Sequence, residues 1–236
     1  MRTRDNIIEK YTIHFEIHDF GFLLPGLDDI LRLKRIYPNF KITCFTIPLP
    51  REFYLKENAK HFKIEKYKRW AEIINSYEWM EIGMHGFSHT PMEMGVDYYK
   101  TIDMIKATEN LWNEVGLKFK KICVAPFWQY SYEALNALKD KGYAVGLNRN
   151  NPIPVPKGLE TFLFTWSVEE PILSAGYDVI AHAHTTSRGV RNGLAQSYNN
   201  IISVLPKEVK FDFLSNLIKK QYEENNKEKG NKEGGD

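Results

Sequence analysis

The chain has 236 residues, of which 43% are hydrophobic and 26% are charged, a composition that fits a globular protein and excludes collagen-like, disordered and disulfide-scaffold chains. Its 32 basic and 30 acidic residues leave a net charge of +2, which argues against general binding of nucleic acid. No apolar run approaches the roughly 18–20 residues of a membrane span, so composition leaves a soluble enzyme or a soluble binding domain.

The N-terminal segment carries two arginines but lacks the continuous apolar stretch of about 7–15 residues that marks a secretory signal. We therefore predict a cytoplasmic protein. Cys44 and Cys123 both lie inside apolar runs, which favours buried strand thiols over a disulfide or a nucleophile.

Short β-rich runs alternate with helical patterns along the chain. The predicted strands are 11–17, 41–47, 80–84, 121–125, 143–147, 161–166 and 178–181, with a further short run at 209–214. The predicted helices are 27–37, 67–76, 98–115, 131–141, 194–204 and 213–223. Strands alternating with helices of this length are typical of βαβ units and a parallel sheet. Seven or eight such units in one domain favour an α/β barrel.

The barrel is predicted to occupy residues 1–222. Residues 223–236, EENNKEKGNKEGGD, contain no apolar side chain, and we predict a disordered polar tail because such a segment cannot bury surface. Asp28 and Asp29 follow Pro25 at a predicted helix start, where acidic residues suit the helix dipole, so we interpret this pair as structural.

Histidines follow the predicted strands. In α/β barrels the chemistry lies at the carboxyl ends of the strands and in the loops after them. Five of the seven histidines fall at such positions: His18, His85, His89, His182 and His184. The exceptions are His14, inside the first strand, and His61, in a basic loop.

His85 and His89 are four residues apart, so two imidazoles can face one ion if the segment turns. One added carboxylate gives a three-ligand site with open positions, the arrangement of a catalytic zinc. The pair alone is equally compatible with surface or core histidines. Asp19, at the end of the first strand, is the carboxylate that strengthens the metal interpretation.

These residues carry a resemblance to a family. The run EIGMHGFSH at 81–89 resembles the second motif of the polysaccharide deacetylases, the NodB-like carbohydrate esterase family 4, which reads roughly E-I-G-N-H-[ST]-x-x-H. FEIHDFG at 15–21 looks like the first motif, T-F-D-D-G. CVAPFW at 123–128 is similar to the third, and VIAH at 179–182 to the last. The matches run through nearly the whole chain in the family's order and resemble a divergent branch.

The resemblance implies a distorted (β/α) barrel that binds one divalent metal through Asp19, His85 and His89. The metal would lower the pKa of its water and polarise an amide carbonyl. An Asp-His-His set suits zinc, and also cobalt, nickel or iron.

The resemblance also implies acid and base roles. His182 matches the histidine that acts as general acid, and His184 lies on the same face if the strand continues, so either can be the acid. The family's base aspartate is replaced by His18, and the arginine that tethers it is missing near 124–125. The base is then His18, Glu16 or the metal hydroxide itself.

Aromatic residues follow the fourth predicted strand. Pro126, Phe127 and Trp128 match the third motif. Trp128 and Tyr130 could form the floor of a sugar-binding site, and packing within the loop is the alternative. Trp166 matches a residue that lines the acyl pocket in the family, with core packing as the alternative.

The predicted function is a metal-dependent hydrolase that removes an N-acetyl or similar acyl group from an amino sugar or glycan. One alternative is hydrolysis of another non-peptide carbon–nitrogen bond, in an amide or a cyclic imide. A second is a catalytically degenerate carbohydrate-binding protein. The expected partner is a small-molecule or oligosaccharide substrate, with no nucleic acid and no membrane span.

Overall fold

The structure is a computed structural model that describes residues 11–24, 26–49, 62–170, 178–185 and 193–233, with side chains described up to residue 224. His61 lies outside the described residues.

The described residues form nine strands that all pair in parallel. They are β1 (Thr12–Phe20), β2 (Ile42–Thr46), β3 (Met80–Met84), β4 (Ile122–Val124), β5 (Ala144–Gly146), β6 (Thr161–Phe162), β7 (Trp166–Ser167), β8 (Asp178–His184) and β9 (Lys210–Phe211). The strand order is β6-β5-β4-β3-β2-β1-β8-β7, and β9 pairs with the start of β1. The predicted α/β barrel of parallel strands is confirmed, as a curled sheet that is distorted from a closed barrel.

Six helices accompany the sheet in the described residues. They are α1 (Leu27–Ile36), α2 (Ile64–Asn75), α3 (Tyr98–Val115), α4 (Tyr132–Asp140), α5 (Leu194–Val204) and α6 (Leu214–Glu233). Ser131 caps α4 as its position suggests, because its hydroxyl accepts a hydrogen bond from the N–H of Ala134 at 2.9 Å. None of the helices in these ranges is long and apolar enough to cross a membrane.

The single strand predicted at 161–166 is wrong, because the segment forms two short strands at opposite ends of the sheet order. β6 pairs with β5, whereas β7 pairs with β8. Residues 163–165 cross the open side of the barrel between them, and the N–H of Thr165 donates to the carbonyl of Ile180 at 3.0 Å. The apolar pattern is the same for one strand or two, since only the pairing partners distinguish them.

Alternation along the strands separates an outer core from the barrel interior. The larger apolar cluster packs on the outer face, for example through Phe15, Ile82 and Ala181. A smaller cluster fills the interior and includes Phe45, Val124, Phe162, Ile180 and, from α6, Leu214, Leu217 and Ile218. The same interior face carries buried polar side chains: His14, Glu16, His18, Thr43, Glu81 and His182. The carboxyl end of the barrel is polar around Glu16, His18 and His182. At the opposite end α6 packs apolar side chains into the barrel, and residues 213–215 bond His14, Thr43 and Glu81.

The start of α6 is held by a buried carboxylate. Glu81 accepts hydrogen bonds from the N–H of Ser215 at 3.1 Å, the hydroxyl of Ser215 at 2.6 Å and the hydroxyl of Thr43 at 2.6 Å. The helix then runs on to Glu233, through most of the segment predicted to be disordered. Residues 223–229 are Glu, Lys and Asn and include no proline. Because the first turns of α6 are already formed by packing on the barrel, the helix can extend through this polar segment.

Cys44 and Cys123 are free and buried, which agrees with their interpretation as strand thiols. Burial raises the pKa of both thiols, so neither is poised as a nucleophile.

Candidate active site

The polar side chains converge at the carboxyl ends of β1, β3 and β8, where β2 lies between β3 and β1. His18 and Asp19 end β1, His85 and His89 follow β3, and His182 and His184 end β8. Two groups form there, each with ligand atoms within 4.8 Å of one another: Asp19 with His85 and His89, and His18 with His182 and His184. The structure thus brings together all six residues that the sequence singles out for metal and proton chemistry.

The first group has the contacts of an open metal site. Oδ1 of Asp19 lies 2.9 Å from Nε2 of His89 and 3.3 Å from Nε2 of His85. This buried oxygen nevertheless has no hydrogen-bond partner in the part of the chain that the structure describes. Burial raises the pKa of the Asp19 carboxyl, but the two adjacent imidazoles outweigh burial and lower that pKa below its usual range. Asp19 is therefore an anion facing two ring nitrogens.

The protonation of His85 follows from its second contact. Its Nδ1 lies 2.9 Å from the backbone carbonyl of Val124, which can only accept, so Nδ1 carries the proton. Nε2 is then the nitrogen that faces Asp19. A histidine fixed through one nitrogen by a carbonyl, with the other nitrogen directed at the site, is the usual form of a metal ligand.

Glu93 organises the loop between the two histidines. Its carboxylate accepts from the N–H groups of Phe87 (3.0 Å), Ser88 (2.7 Å) and His89 (3.2 Å), and from the hydroxyl of Ser88 (2.7 Å). Gly86 has a φ of 64°, and a Cβ there would collide with Oε2 of Glu93. The sequence analysis missed Glu93, because a lone carboxylate after the motif shows no spacing that marks it.

The second group is built on the pairing of β1 with β8. His18 is the register partner of His184, and Glu16 is the partner of His182. Oε1 of Glu16 lies 3.0 Å from Nδ1 of His182 and 3.5 Å from Nε2 of His18. Because a carboxylate accepts, Nδ1 of His182 carries the proton and its Nε2 faces away from Glu16.

His18 is the most enclosed histidine of the site. Its side chain is 1% exposed and its ring centroid lies 4.4 Å from that of His182 and 4.7 Å from that of His85. Burial lowers the pKa of His18 well below its usual value, and the neighbouring imidazoles, His182 first, lower it further. His18 is therefore a neutral imidazole.

Two aromatic side chains border the histidines. Phe127 is 55% exposed, with its ring centroid 5.1 Å from that of His89. The ring of Trp128 lies 5.2 Å from that of His18 and 5.6 Å from that of His182. Pro126 is buried and begins the short 3₁₀ turn, Pro126–Trp128, that presents both rings.

Trp166 and Tyr130 lie in packed positions. Trp166 is the register partner of Ala181, so it lies on the outer face of the sheet, opposite to His182, and its indole N–H donates to the carbonyl of Glu170 at 2.7 Å. Tyr130 is buried, and its hydroxyl bonds the backbone of Ala125 and Gly146. The structure does not bring Trp166 to the histidine cluster.

Comparison with known proteins gives structural matches only. Neither the protein-family models nor the curated protein sequences contain a match to the chain. Among solved structures, the Bc1960 peptidoglycan N-acetylglucosamine deacetylase matches with a TM-score of 0.57 and 16% identity, over 88% of this chain and 87% of that one. A family 4 acetyl xylan esterase from Clostridium thermocellum, solved in complex with a cobalt ion, matches with a TM-score of 0.54 and 16% identity, over 88% and 90%.

A third match is described as a pseudoenzyme. It is a protein from Bacillus anthracis described as a pseudoenzyme of carbohydrate esterase family 4, with a TM-score of 0.55 and 15% identity, over 89% of this chain and 66% of that one. The chain therefore has the fold of the NodB-like carbohydrate esterase family 4 proteins. Since that fold includes enzymes and a pseudoenzyme, the side chains at the site must decide what this chain does.

Proposed function

We propose that the chain is a divergent member of carbohydrate esterase family 4, a metal-dependent hydrolase that removes an N-acetyl or similar acyl group from an amino sugar or glycan. The observation that carries the proposal is the convergence of Asp19, His85 and His89 beside His18 and His182. The deacetylase and esterase among the matching structures support the same reaction class.

The first group fits a divalent metal. One carboxylate with two imidazoles is a donor set for zinc and also for cobalt, nickel or iron, and zinc is our first choice. The buried, unpartnered Oδ1 of Asp19 and the fixed Nδ1 proton of His85 both suit coordination. A bound ion would supply Lewis-acid polarisation of the acyl carbonyl and a lowered pKa for water.

His182 is the general acid in this proposal. Glu16 accepts a hydrogen bond from Nδ1, so His182 acts as an acid only when it also carries a second proton on Nε2, and that is the proton it delivers to the leaving amine. His184 lies two residues further on β8, on the same face, and stands next to it with ring centroids 4.7 Å apart. It contacts the substrate or shares the proton.

His18 is the general base in this proposal. Its Nε2 is buried and has no hydrogen-bond partner within the described ranges, so this nitrogen can take a proton from the attacking water when Nδ1 carries the ring proton. Glu16 is the second candidate for the base: its Oε1 bonds His182, but its Oε2 has no hydrogen-bond partner within the described ranges.

The aromatic turn provides the substrate contact. The exposed ring of Phe127 stands beside His89 and can stack on the apolar face of a pyranose, and Trp128 lines the floor between the two groups. Pro126 sets the turn that holds both rings. Trp166, which the family resemblance offers for the acyl pocket, contributes to packing behind β8.

Two alternatives have specific support. The replacement of the expected base aspartate by His18 favours a changed substrate, such as another amide or a cyclic imide. The Bacillus anthracis pseudoenzyme, which shares this fold, supports a carbohydrate-binding protein without turnover.

A substrate panel separates the three functions. Zinc-loaded protein is incubated with N-acetylglucosamine oligomers, sugar nucleotides, simple amides and cyclic imides, and the products are quantified. We expect acetate from the acetamido sugars and its loss in His182→Ala. Faster turnover of amides or imides would select the second function. Sugar binding that persists in His182→Ala, with no hydrolysis by the parent, would select the third.

A further inference from the structure

The second histidine group is itself built like a metal site. His18, His182 and His184 offer ligand atoms within 4.8 Å of one another. Their ring centroids are 4.4, 4.7 and 5.3 Å apart. His18 and His184 are register partners on β1 and β8, and His182 lies two residues before His184 on the same face, so the sheet itself fixes their spacing.

Two buried atoms in this group lack partners. Nε2 of His18 and Oε2 of Glu16 have no hydrogen bond to any residue that the structure describes, although the His18 side chain is 1% exposed and the Glu16 side chain is fully buried. Burying polar atoms without partners is unfavourable, and an ion or a water bound between them removes that cost.

Glu16 provides the outer support that metal-binding histidines usually have. Its Oε1 accepts from Nδ1 of His182, which fixes the ring and leaves Nε2 for a ligand. Carboxylate–histidine–metal arrangements of this kind orient the ring and raise its basicity.

We propose that His18, His182 and His184 bind a second divalent cation, next to the ion held by Asp19, His85 and His89. Three imidazoles suit zinc, copper or nickel. The ring of His18 lies 4.7 Å from that of His85, so the two ions are neighbours and repel each other. The first site contains a ligating carboxylate and binds more tightly; the second fills only at higher metal concentration.

This inference deepens the proposed function. The effect of the second ion on catalysis, described next, rests on that function. An ion on the second group occupies the ring nitrogens that His18 and His182 need for proton transfer. Excess metal therefore inhibits the enzyme. At a metal concentration ten times the second Kd, mass action lowers the rate of acetate release about tenfold.

The test is a zinc titration of the chelator-treated full-length protein, followed by calorimetry and checked by elemental analysis. We expect two binding events in the parent chain. His184→Gln loses the weaker event and Asp19→Asn loses the tighter one. His14→Gln is the matched control, because that histidine lies on the same strand but bonds Asp178 and the carbonyl of Phe213, away from the two groups; it keeps both events.

The outcomes separate this inference from the proposed function. A single equivalent of zinc in the parent chain, persisting as free zinc is raised far beyond the concentration that saturates the first site, overturns the second site whether or not any variant folds. Two binding events, with no acetate release even when only one equivalent of zinc is present, leave the second site standing and reject the deacetylase. If excess zinc does not reduce acetate release, the second ion does not inhibit the enzyme.

Discussion

Asp19 and His89 share an uncommon backbone conformation. Their φ angles are 58° and 61°, in the left-handed region, which costs a residue other than glycine about 1–3 kcal/mol. The hydroxyl of Thr185 donates to the carbonyl of Asp19 at 2.7 Å, and Glu93 accepts from the N–H of His89. Strained residues that the surroundings hold in place cluster at functional sites, and here two of the three proposed ligands are strained.

Glu93 is predicted to position His89 for metal binding. Glu93→Gln replaces one acceptor oxygen by an amide that cannot accept from the loop N–H groups, so the loop loses its fixed shape. Metal affinity at the first site should fall roughly tenfold to hundredfold, the usual effect of losing an outer-shell partner. Calorimetric zinc titration measures it, and Glu114→Gln, an exposed glutamate on α3, is the matched control. Equal affinities of the two variants would show that the loop needs no carboxylate.

Glu16 is predicted to act through His182. Glu16→Gln should lower kcat by about tenfold to hundredfold while KM stays close to that of the parent, because the ring of His182 loses its fixed orientation but the aromatic turn is unchanged. Steady-state acetate release gives both constants. Glu81→Gln is a control with a buried carboxylate on β3 that bonds Thr43 and Ser215. An unchanged kcat in Glu16→Gln would remove Glu16 from the proposed machinery.

The residues of the site differ in how far the sequence predicts them. His85 and His89 are four residues apart, and Asp19 lies at the end of the first strand, so the amino-acid sequence alone identifies these three residues as candidates. The role of Glu16 depends on the register between β1 and β8, and that of Glu93 on a loop folding back on itself. The spacing of residues along the chain predicts neither the register nor the loop conformation.

At the scale of elements, α6 is predicted to depend on its buried anchor. Ser215→Ala removes a hydroxyl that donates to Glu81 at 2.6 Å and leaves a buried carboxylate oxygen without that donor. The free energy of unfolding should fall by about 1–3 kcal/mol. Urea denaturation measures the loss.

Ser203→Ala is the control for that measurement, because the hydroxyl of Ser203 is exposed and bonds only the local carbonyl of Asn200 among the described residues. We expect a change within about 0.5 kcal/mol for this variant. If the two serine variants were equally stable, Glu81 would not anchor the helix.

Helices with clear end signals are predicted well from the sequence. The patterns at 98–115 and 194–204 give helices with the bounds that the structure has. At α3 the reason is local: Asp97 accepts from the N–H of Lys100, and Gly116 ends the helix in a left-handed conformation. The sequence pattern does not predict that 161–166 divides into β6 and β7, because the division depends on which distant strand each half pairs with.

At the scale of the whole molecule, one parallel sheet builds the site. β1 lies between β2 and β8, so its carboxyl end meets those of β3 and β8 within one or two strands. Alternation of strands and helices is enough to predict this barrel and the end that carries the chemistry. The fold alone does not predict activity, because structures with this fold include a deacetylase, an esterase and a pseudoenzyme.

The central claim is that hydrolysis depends on a metal held by Asp19, His85 and His89. The most direct measurement is acetate release from N-acetylglucosamine oligomers before chelation, after exhaustive chelation and after one equivalent of zinc is restored. The account predicts that chelation abolishes acetate release and that one equivalent restores it in the parent chain but not in Asp19→Asn. Undiminished acetate release by protein shown to be metal-free by elemental analysis would contradict the account.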